Sequence, residues 1–423
     1  MKVITDEKIP IKMWLEKIEP GAEKQARNLA NLAGAFHHIA IMPDAHVGYG
    51  MPIGGVLATE GIIIPNAVGV DIGCGMVAVE SSIKEIDEYT LKEILNKLRK
   101  TIPTGFTHHK QAQNWEGFSL APDVPIINQE LNSARKQIGT LGGGNHFLEV
   151  LKEVDESRFN IRAEGNIWLM LHSGSRNFGK KVADVYHKKA HKYCEENNIS
   201  LPDHDLAFLK FNSRLGQEYW QAMNFCLEFA RANRALMLER FMEIVGDITG
   251  CSFLKFMNKE DNNHKLKLSP TPSDSPSGRG RTNISSDLPY FGIHHNYASV
   301  ENHFGKEVIV HRKGATQAYV GQLGIVPGSM GTPSYVVIGL GNPESFMSSA
   351  HGAGRAMGRR EADRQLTREQ ADAAIRGIIF EGWRGKLDEA PQAYKNIEEV
   401  ITAQADLAKP IVKLKPLMVM IGN

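Results

Sequence analysis

The chain has 423 residues, 42% of them hydrophobic and 23% charged, which is long enough for a buried core and ordinary for a globular protein. Its 49 Lys and Arg nearly balance its 48 Asp and Glu, which excludes a generally basic protein and leaves only a local patch for any polyanion. Four cysteines are too few for a disulfide framework. The N-terminus has no secretory signal, and no apolar run is long enough to span a membrane. We therefore expect a cytoplasmic protein that neither spans nor binds a membrane.

Short apolar runs bounded by Gly or Pro alternate with helical patterns along the chain. Strands are predicted at Ile39–Met42, Gly61–Pro65, Met76–Val79, Ile167–Leu171, Glu307–His311 and Tyr335–Leu340. Helices are predicted at Glu88–Lys100, Lys180–Glu196, Thr367–Ile379 and Ile397–Leu407, with a helical hairpin at about 203–245. Because strands and helices mix throughout, these patterns predict an α/β (mixed α+β) fold and a single domain over residues 1–423.

One segment, residues 258–287, is rich in Ser, Pro, Gly and Asn and has almost no apolar side chains. This composition predicts a flexible surface insertion within the domain. Its Arg279 and Arg281 could contact a phosphate backbone, but a solvated loop without a role is the simpler interpretation.

Glycines cluster with His, Asp, Asn and Cys in six short blocks. These blocks are residues 42–55, 69–76, 141–149, 171–176, 294–296 together with 327–331, and 348–355. A polar residue beside glycines at a strand end lets the backbone approach a ligand closely. Six such blocks in one chain predict a single composite site.

Five residues in these blocks have side chains that bind metals: Asp71, Cys74, His146, His172 and His295. Asp71 and Cys74 share a glycine-flanked turn that could direct a carboxylate and a thiolate at one point. Each of the five, taken alone, is more often a structural residue. Together they predict a mixed N/O/S metal site, which does not by itself distinguish Zn²⁺ from Mn²⁺.

His187 and His191 also have the spacing of metal ligands on a helix, four residues apart. Lysines surround both, so this pair is interpreted as a solvated helix face.

His351 differs from the metal candidates because small residues flank it on both sides, in the run SSAHGAGR. A phosphate could therefore approach its ring, Arg355 could neutralise phosphate charge, and the glycine loop Pro327–Gly331 could donate backbone N–H groups. A neutral imidazole is a competent nucleotidyl acceptor. A further metal ligand or a packing residue at a helix start is the alternative role for His351.

In chain order, the motifs MPDAHVGYG, GVDIGCGM, GTLGGGNHF, LHSGSR, HHN, RKGA, PGSMG and SAHGAGR resemble those of the RtcB family of RNA-splicing ligases. The resemblance extends over nearly the whole chain. It implies a single RtcB-like catalytic domain, with an RtcB-type fold and a central metal- and nucleotide-binding cleft.

The resemblance also implies a reaction. The family uses GTP as co-substrate and Mn²⁺, two ions per active site, to join an RNA 3′-phosphate or 2′,3′-cyclic phosphate end to a 5′-hydroxyl end through a histidine–GMP intermediate. The implied partners are RNA with broken or spliced tRNA-like ends and an archease-like helper protein. Such an enzyme would act in tRNA splicing or RNA repair.

Site roles follow from the same resemblance, motif by motif. The manganese ligands would be Asp71, Cys74, His146, His172 and His295, with Cys74 bridging. His351 would be the guanylylated residue, and Asp44 would be an acidic residue that the sealing step needs. GTP contacts are implied at Asn145, His146, Phe147, Leu148, Glu149, His295, Asn296, Pro327, Gly328, Ser329, Met330, Ser334, His351, Gly352, Ala353 and Gly354. Glu149 would read the guanine edge.

Two other functions remain open at this point. A metal-dependent phosphohydrolase would explain the metal candidates but not the separate blocks around His351 and Pro327–Gly331. A non-catalytic RNA-binding subunit would be expected to lack a metal ligand or the nucleophile, and this chain retains all six residues.

Overall fold

The computed structural model describes residues 1–161, 163–254, 289–383 and 385–422, so the insertion predicted at 258–287 lies outside the described residues. Its strands are β1 Lys2–Ile4, β2 Ile11–Met13, β3 Ala35–His46, β4 Ile53–Thr59, β5 Ile62–Ile63, β6 Gly75–Ser81, β7 Phe147–Val154, β8 Ile167–Ser173, β9 Leu209–Lys210, β10 Phe253–Leu254, β11 Phe291–His294, β12 Asn296–His303, β13 Lys306–Lys313, β14 Ala315–Gln317, β15 Leu323–Val326, β16 Ser334–Gly339, β17 Ser348–Ala350 and β18 Ala408–Ile421. Its α-helices are α1 Pro20–Ala30, α2 Pro65–Val68, α3 Glu88–Thr101, α4 Pro125–Gln137, α5 Arg176–Glu196, α6 Arg214–Thr249, α7 Arg359–Gln365, α8 Arg368–Ala374 and α9 Ile397–Ala403.

The larger sheet has the strand order β10-β6-β8-β7-β18-β16-β15, and β11 also pairs with β6. All of these pairings are antiparallel. Strand β18 lies between β7 and β16, so the C-terminal part of the described chain completes the middle of the sheet. Antiparallel pairing brings the start of one strand beside the end of its neighbour, so residues from distant parts of the chain can meet at one end of the sheet.

The smaller sheet has the order β1-β2-β3-β4-β13-β12. Its pairings are antiparallel except for the parallel pair β2 and β3. Strands β13 and β14 flank Gly314, and β14 pairs with β17, which ends immediately before His351. The smaller sheet therefore carries the His351 region toward the edge of the larger one.

Helix α6 is the main support beneath the larger sheet. Its Met237, Leu238 and Phe241 are buried in one cluster with Leu169 and Leu171 of β8. Ser213 caps its first turn by accepting a hydrogen bond from the Gly216 N–H at 3.1 Å. Burying this apolar face fixes the β6–β8 region, from which much of the candidate site is built.

The helical hairpin predicted at about 203–245 is wrong. Residues 203–213 contain a short 3₁₀ turn at His204–Leu206 and strand β9, and a single helix of 36 residues then runs from Arg214 to Thr249. No proline interrupts this stretch, and Gly250 ends it with φ 70°. The helix stays continuous because several of its faces are buried, so no turn is needed to hide an exposed one.

The mixed α+β fold class is confirmed, since helices and sheets alternate along the described chain. The predicted strands at Ile39–Met42 and Ile167–Leu171 lie within β3 and β8. The predicted helix at Thr367–Ile379 is shorter, ending at Ala374. Among the described residues, no helix is both long and apolar enough to cross a membrane.

Candidate active site

Four of the five predicted metal-binding residues lie at the ends of neighbouring strands in the larger sheet. His146 precedes β7, His172 is near the end of β8, Cys74 precedes β6, and His295 follows β11. The pairing of Phe147 with His172 and the 2.9 Å hydrogen bond from the His295 N–H to the Cys74 carbonyl hold these ends together. The antiparallel order of β7, β8, β6 and β11 thus brings four distant blocks to one sheet edge.

The side chains meet there, together with Asp71, in what we name the His–Cys–Asp cluster (Asp71, Cys74, His146, His172 and His295). The Cys74 Sγ lies 3.4 Å from His146 Nε2 and 3.2 Å from His172 Nε2. His146 Nε2 is 3.0 Å from Asp71 Oδ2, and His172 Nε2 is 3.3 Å from His295 Nε2. The side chains therefore form two overlapping groups of three that share Cys74, one with His172 and His295 and the other with Asp71 and His146.

Backbone carbonyls fix the orientation of two of these rings. His146 Nδ1 lies 2.9 Å from the Leu141 carbonyl, and His172 Nδ1 lies 2.8 Å from the Asn145 carbonyl. A carbonyl only accepts, so each Nδ1 carries a proton, and in the neutral ring each Nε2 then presents a lone pair to the cluster. Hydrogen bonds of this kind orient the rings of metal-binding histidines.

Burial disfavours charge on most members of the cluster. It raises the pKa of Cys74 well above the ordinary value, with the Asp71 carboxylate adding to the effect. It lowers the pKa of His172 to about 3 and that of His295 well below the usual range. For Asp71, burial raises the pKa, but the hydrogen bond and charge of His146 outweigh it and leave the pKa lowered. The Cys74 thiol and the imidazoles of His172 and His295 thus lie close together with little charge to hold them, as ligands do around a cation.

The donor set passes a direct test of fit for a divalent cation. His295 Nδ1 is buried without a hydrogen-bond partner among the described residues, and its Nε2 faces His172. A side chain on Gly174 would overlap the Asp71 carboxylate, so the glycine keeps the approach open. Imidazole, thiolate and carboxylate are all ligands of first-row divalent metals.

His351 and Asp44 form a second arrangement beside this cluster. Asp44 Oδ2 lies 2.6 Å from His351 Nδ1 and also accepts from the backbone N–H of His351 at 3.0 Å and of Gly352 at 3.3 Å. The Asp44 side chain is fully buried, whereas that of His351 is 16% exposed. Because an ionised carboxylate only accepts, Nδ1 carries the proton and Nε2 keeps its lone pair.

The two arrangements face one cleft of about 700 Å³. The ring centroids of His351 and His295 are 4.9 Å apart, so the pair adjoins the cluster directly. The loop from Pro327 to Met330 and the run from Gly352 to Gly354 line the same cleft. A Cβ on Gly354, whose φ is +71°, would overlap the Asp44 backbone, so this turn requires glycine.

Most of the predicted nucleotide contacts also line the cleft, namely Asn145, Phe147, His295, Asn296, Pro327, Gly328, Ser329, Met330, His351, Gly352, Ala353 and Gly354. Ser334 lies behind the loop, where its hydroxyl accepts from the Gly328 N–H at 3.2 Å. Leu148 is packed in the hydrophobic cluster shared with α3 and α6. Those two positions support the cleft rather than form its wall.

Glu149 lies deeper in the protein than the cleft wall. Side chains alternate along β7, so Glu149 shares a sheet face with Phe147, and its neighbour on β18 is Val419. Val419 packs in a cluster with Met330 and Phe147 at the cleft wall. Burial alone raises the pKa of Glu149 to about 8, so this carboxyl lies in an apolar surrounding.

Sequence reasoning missed two further cleft residues, Lys313 and His46. Burial lowers the pKa of Lys313 to about 7, and its Nζ donates to the Tyr49 carbonyl at 2.6 Å. Burial lowers the pKa of His46 to about 4. Both residues lie in glycine-rich motifs, RKGA and MPDAHVGYG, and that position was the available signal.

Arg355 lines the cleft, but its guanidinium is engaged elsewhere. Nε donates to the Met357 carbonyl at 3.0 Å, and Nη1 lies 3.5 Å from Glu389 Oε2. The nearest helix begins only at Arg359, so Arg355 is not one helical turn from His351. Its availability to a phosphate stays a prediction.

The family described as "tRNA-splicing ligase RtcB" matches residues 25–122, 117–267 and 277–422. The chain belongs to the RtcB family. This is a family of RNA ligase enzymes, and the resemblance inferred from the sequence motifs is confirmed.

Curated RtcB relatives match along their full length. The RNA-splicing ligase RtcB of Escherichia coli is 35% identical over 444 residues, covering 100% of this chain and 99% of the relative. That of Mycobacterium bovis is 33% identical, covering 93% and 99%. The tRNA-splicing ligase RtcB of Pyrobaculum aerophilum is 30% identical, covering 98% and 95%. The RtcB match thus includes every block from which the cleft is built.

Proposed function

We propose that this RtcB chain is a GTP- and Mn²⁺-dependent RNA ligase. It would join an RNA 3′-phosphate or 2′,3′-cyclic phosphate end to a 5′-hydroxyl end through a histidine–GMP intermediate. The observation that carries the proposal is the 2.6 Å contact of His351 Nδ1 with the buried Asp44 carboxylate, beside a cluster of metal-binding side chains.

His351 is the proposed nucleophile. Asp44 keeps the proton on Nδ1, so the Nε2 lone pair is available without a further base. Asp44 also accepts hydrogen bonds from the backbone N–H groups of His351 and Gly352, which fixes the backbone that carries the ring. A nucleophile held in this way loses little freedom when it reacts.

The His–Cys–Asp cluster would hold a pair of Mn²⁺ ions, with Cys74 as a bridging thiolate. A nearby cation lowers a thiol pKa, so metal binding would reverse the effect of burial on Cys74. When bound, the ions would stabilise negative charge on the reacting phosphates. His172 and His146 would bind through Nε2, because backbone carbonyls occupy their Nδ1 protons.

The proposed reaction has three transfers at phosphorus. His351 Nε2 first forms a P–N bond to the α-phosphate of GTP, and pyrophosphate leaves. An oxygen of the RNA 3′-phosphate then attacks that phosphorus, so the P–N bond breaks and His351 is released. Finally the 5′-hydroxyl attacks the activated 3′-phosphate, loses its proton, and GMP leaves as the phosphodiester forms. A cyclic phosphate would first be hydrolysed to the 3′-phosphate.

Glu149 is the proposed guanine-reading residue. Guanine offers N–H donors at N1 and N2, whereas adenine has an acceptor at N1. The buried Glu149 carboxyl, whose pKa is raised to about 8, would gain these donors as partners and ionise more readily when GTP binds. The proposed position of the base is beside Phe147 and Met330.

The proposed partner is RNA with broken or spliced tRNA-like ends, and an archease-like protein is the proposed helper. A cytoplasmic location is part of the proposal. All four cysteines are free thiols, which fits a reducing compartment.

A phosphohydrolase is the alternative that the cluster alone would permit. It would need no nucleophile beside the cluster, so the His351–Asp44 contact and the glycine loops favour the ligase. The two functions differ in their products, which makes the choice between them testable.

The test is an omission experiment on a labelled RNA 3′-phosphate and an unlabelled 5′-hydroxyl RNA. With GTP and Mn²⁺ together, the labelled strand should lengthen to the joined product, and it should stay unchanged when either is left out. Release of inorganic phosphate from the 3′ end without joining would support the phosphohydrolase instead.

A further inference from the structure

A second group of metal-binding side chains lies on α5, outside the cleft. His187 and His191 are one turn apart on this helix, and Asp205 comes from the 3₁₀ turn His204–Leu206. Their ligand atoms all lie within 4.8 Å of one another. We name this group the α5 cluster. None of its members belongs to the machinery of the proposed ligase reaction.

The atoms of the α5 cluster have the spacing of ligands around one ion. His187 Nε2 lies 2.9 Å from His191 Nε2 and 3.8 Å from Asp205 Oδ1. Neighbouring ligand atoms about 2.1 Å from a tetrahedral Zn²⁺ are roughly 3.4 Å apart, which falls between these two distances. Small rotations of the side chains would bring the three atoms into a first-row metal's coordination sphere.

The surroundings hold both rings in place. His191 stacks on His204 with centroids 3.7 Å apart, and Asn66 Nδ2 lies 3.5 Å from His187 Nε2. The other ring nitrogen of His187, Nδ1, is buried and has no hydrogen-bond partner in the part of the chain that the structure describes. The imidazole is thus held chiefly by its Nε2 side, toward His191 and Asp205.

The lysines next to His187 and His191 in the sequence lie on other faces of α5. Lys188 and Lys192 are exposed on an adjacent face of α5, about 100° around the helix from the histidines. Lys189 points to Glu218, with 3.4 Å between Nζ and Oε2. The charges of these three lysines are therefore directed away from the α5 cluster.

We propose that His187, His191 and Asp205 bind a single divalent transition-metal ion of the Zn²⁺ class, separate from the cleft metals. Two imidazoles and a carboxylate form a ligand set typical of zinc. The half-buried position leaves the remaining coordination position open to water. The ion would join α5 to the turn at 204–206.

This site would also reach the rim of the cleft. The Asp205 carbonyl accepts from Asn66 Nδ2 at 3.0 Å, and Asn66 lines the cleft. A bound ion would fix Asp205 and so the position of Asn66. We expect its role to be structural, because none of its ligands faces the cleft.

The test is the Zn²⁺ content of the full-length chain after incubation with Zn²⁺ and gel filtration. The wild type should carry one equivalent more than the double variant His187→Ala, His191→Ala, and also more than Asp205→Asn. The double variant Lys188→Ala, Lys192→Ala is the matched control on the same helix and should equal the wild type. Zn²⁺ held in the cleft is common to all variants and cancels in the difference.

A measurement on the unmutated chain removes dependence on the folding of the variants. Anomalous diffraction at the zinc edge should show a peak between His187 Nε2, His191 Nε2 and Asp205 Oδ1. A missing peak there, or equal Zn²⁺ content in wild type and both ligand variants, would overturn the proposal and leave a hydrogen bond between the two rings.

Discussion

The His–Cys–Asp cluster and the His351–Asp44 pair lie side by side in one cleft, but their protons are arranged differently. In the cluster, the Nε2 atoms of His146 and His172 both face the Cys74 Sγ, and burial keeps that thiol's pKa high. In the pair, one ring proton is held by one buried carboxylate. Several nitrogen lone pairs that point at one volume suit the binding of a cation. A single histidine whose proton is fixed on one nitrogen suits a nucleophile, so neighbouring histidines in one cleft can have different roles.

The largest effect that separates the two regions is expected from Cys74→Ala. Losing a bridging ligand should release metal and abolish both GMP transfer and RNA joining, a fall of more than about 10³-fold, because the ions contribute several kcal/mol to charge stabilisation. Metal content and adduct formation are measured on the same sample. Cys251→Ala, which removes a half-buried thiol outside the cluster, is the control. Retention of both metals and activity by Cys74→Ala would rule out the bridging role.

Asp44→Asn should affect the pair and spare the cluster. An amide can donate to Nδ1 and so favour the wrong tautomer of His351, which should slow adduct formation about 10²- to 10⁴-fold. The bound metal should be unchanged. Single-turnover rates at saturating GTP, together with metal analysis, give both quantities. A normal rate in this variant would mean that Asp44 does not set the tautomer of His351.

Glu149→Ala should change the preference for GTP over ATP more than it changes the rate of adduct formation with GTP. Mispaired polar groups cost about 1–3 kcal/mol, so removing the carboxyl should narrow the preference for GTP over ATP by about 5- to 150-fold. Competition between the two nucleotides in adduct formation measures the ratio. Glu153→Ala is the control on the same strand, because the Glu153 carboxyl instead accepts from the Trp168 ring N–H at 2.8 Å. An unchanged ratio in Glu149→Ala would remove this residue from recognition.

The expected effect most remote from catalysis is on the pH dependence of stability without nucleotide. Burial raises the pKa of Glu149 to about 8 from an ordinary value of 4.5, so the folded state binds a proton that the unfolded state has lost. This contribution to stability is complete below pH 4.5 and is lost as pH rises to about 8, at up to about 1.4 kcal/mol per pH unit. Glu149→Gln should flatten that part of the profile in urea titrations. Parallel profiles for the two proteins would contradict the raised pKa.

The motifs contained many of the residues that line the cleft, but they did not predict its architecture. Glycine-flanked polar residues such as Cys74 and His351 stood out because the backbone turns they require limit the residue types that fit. Their meeting point depends on the order β7-β8-β6 with β11, and on β18 completing the sheet from a distant part of the chain. Such pairing between remote strands leaves no local pattern in the sequence.

Other features depend on tertiary contacts that the sequence does not display. Apart from its place in the RKGA motif, nothing in the local sequence distinguishes Lys313 from the other lysines. Its burial in the cleft, which lowers its pKa to about 7, results from the fold. His187 and His191 have lysines close by in the sequence, whereas Asp205 approaches them only in the fold. The continuous helix α6 was likewise decided by what packs around it.

The measurement that tests the account most directly is covalent labelling with [α-³²P]GTP and Mn²⁺ in the wild type and in His351→Ala. The wild type should carry an acid-labile, alkali-stable label on denaturing electrophoresis, and peptide mapping should assign it to His351. The variant should keep its metals and bind GTP, yet form no adduct and seal no RNA from GTP. It should still join RNA whose 3′ end already carries GMP, since that substrate bypasses the histidine. A labelled His351→Ala chain, or a wild-type label on any other residue, would contradict the mechanism.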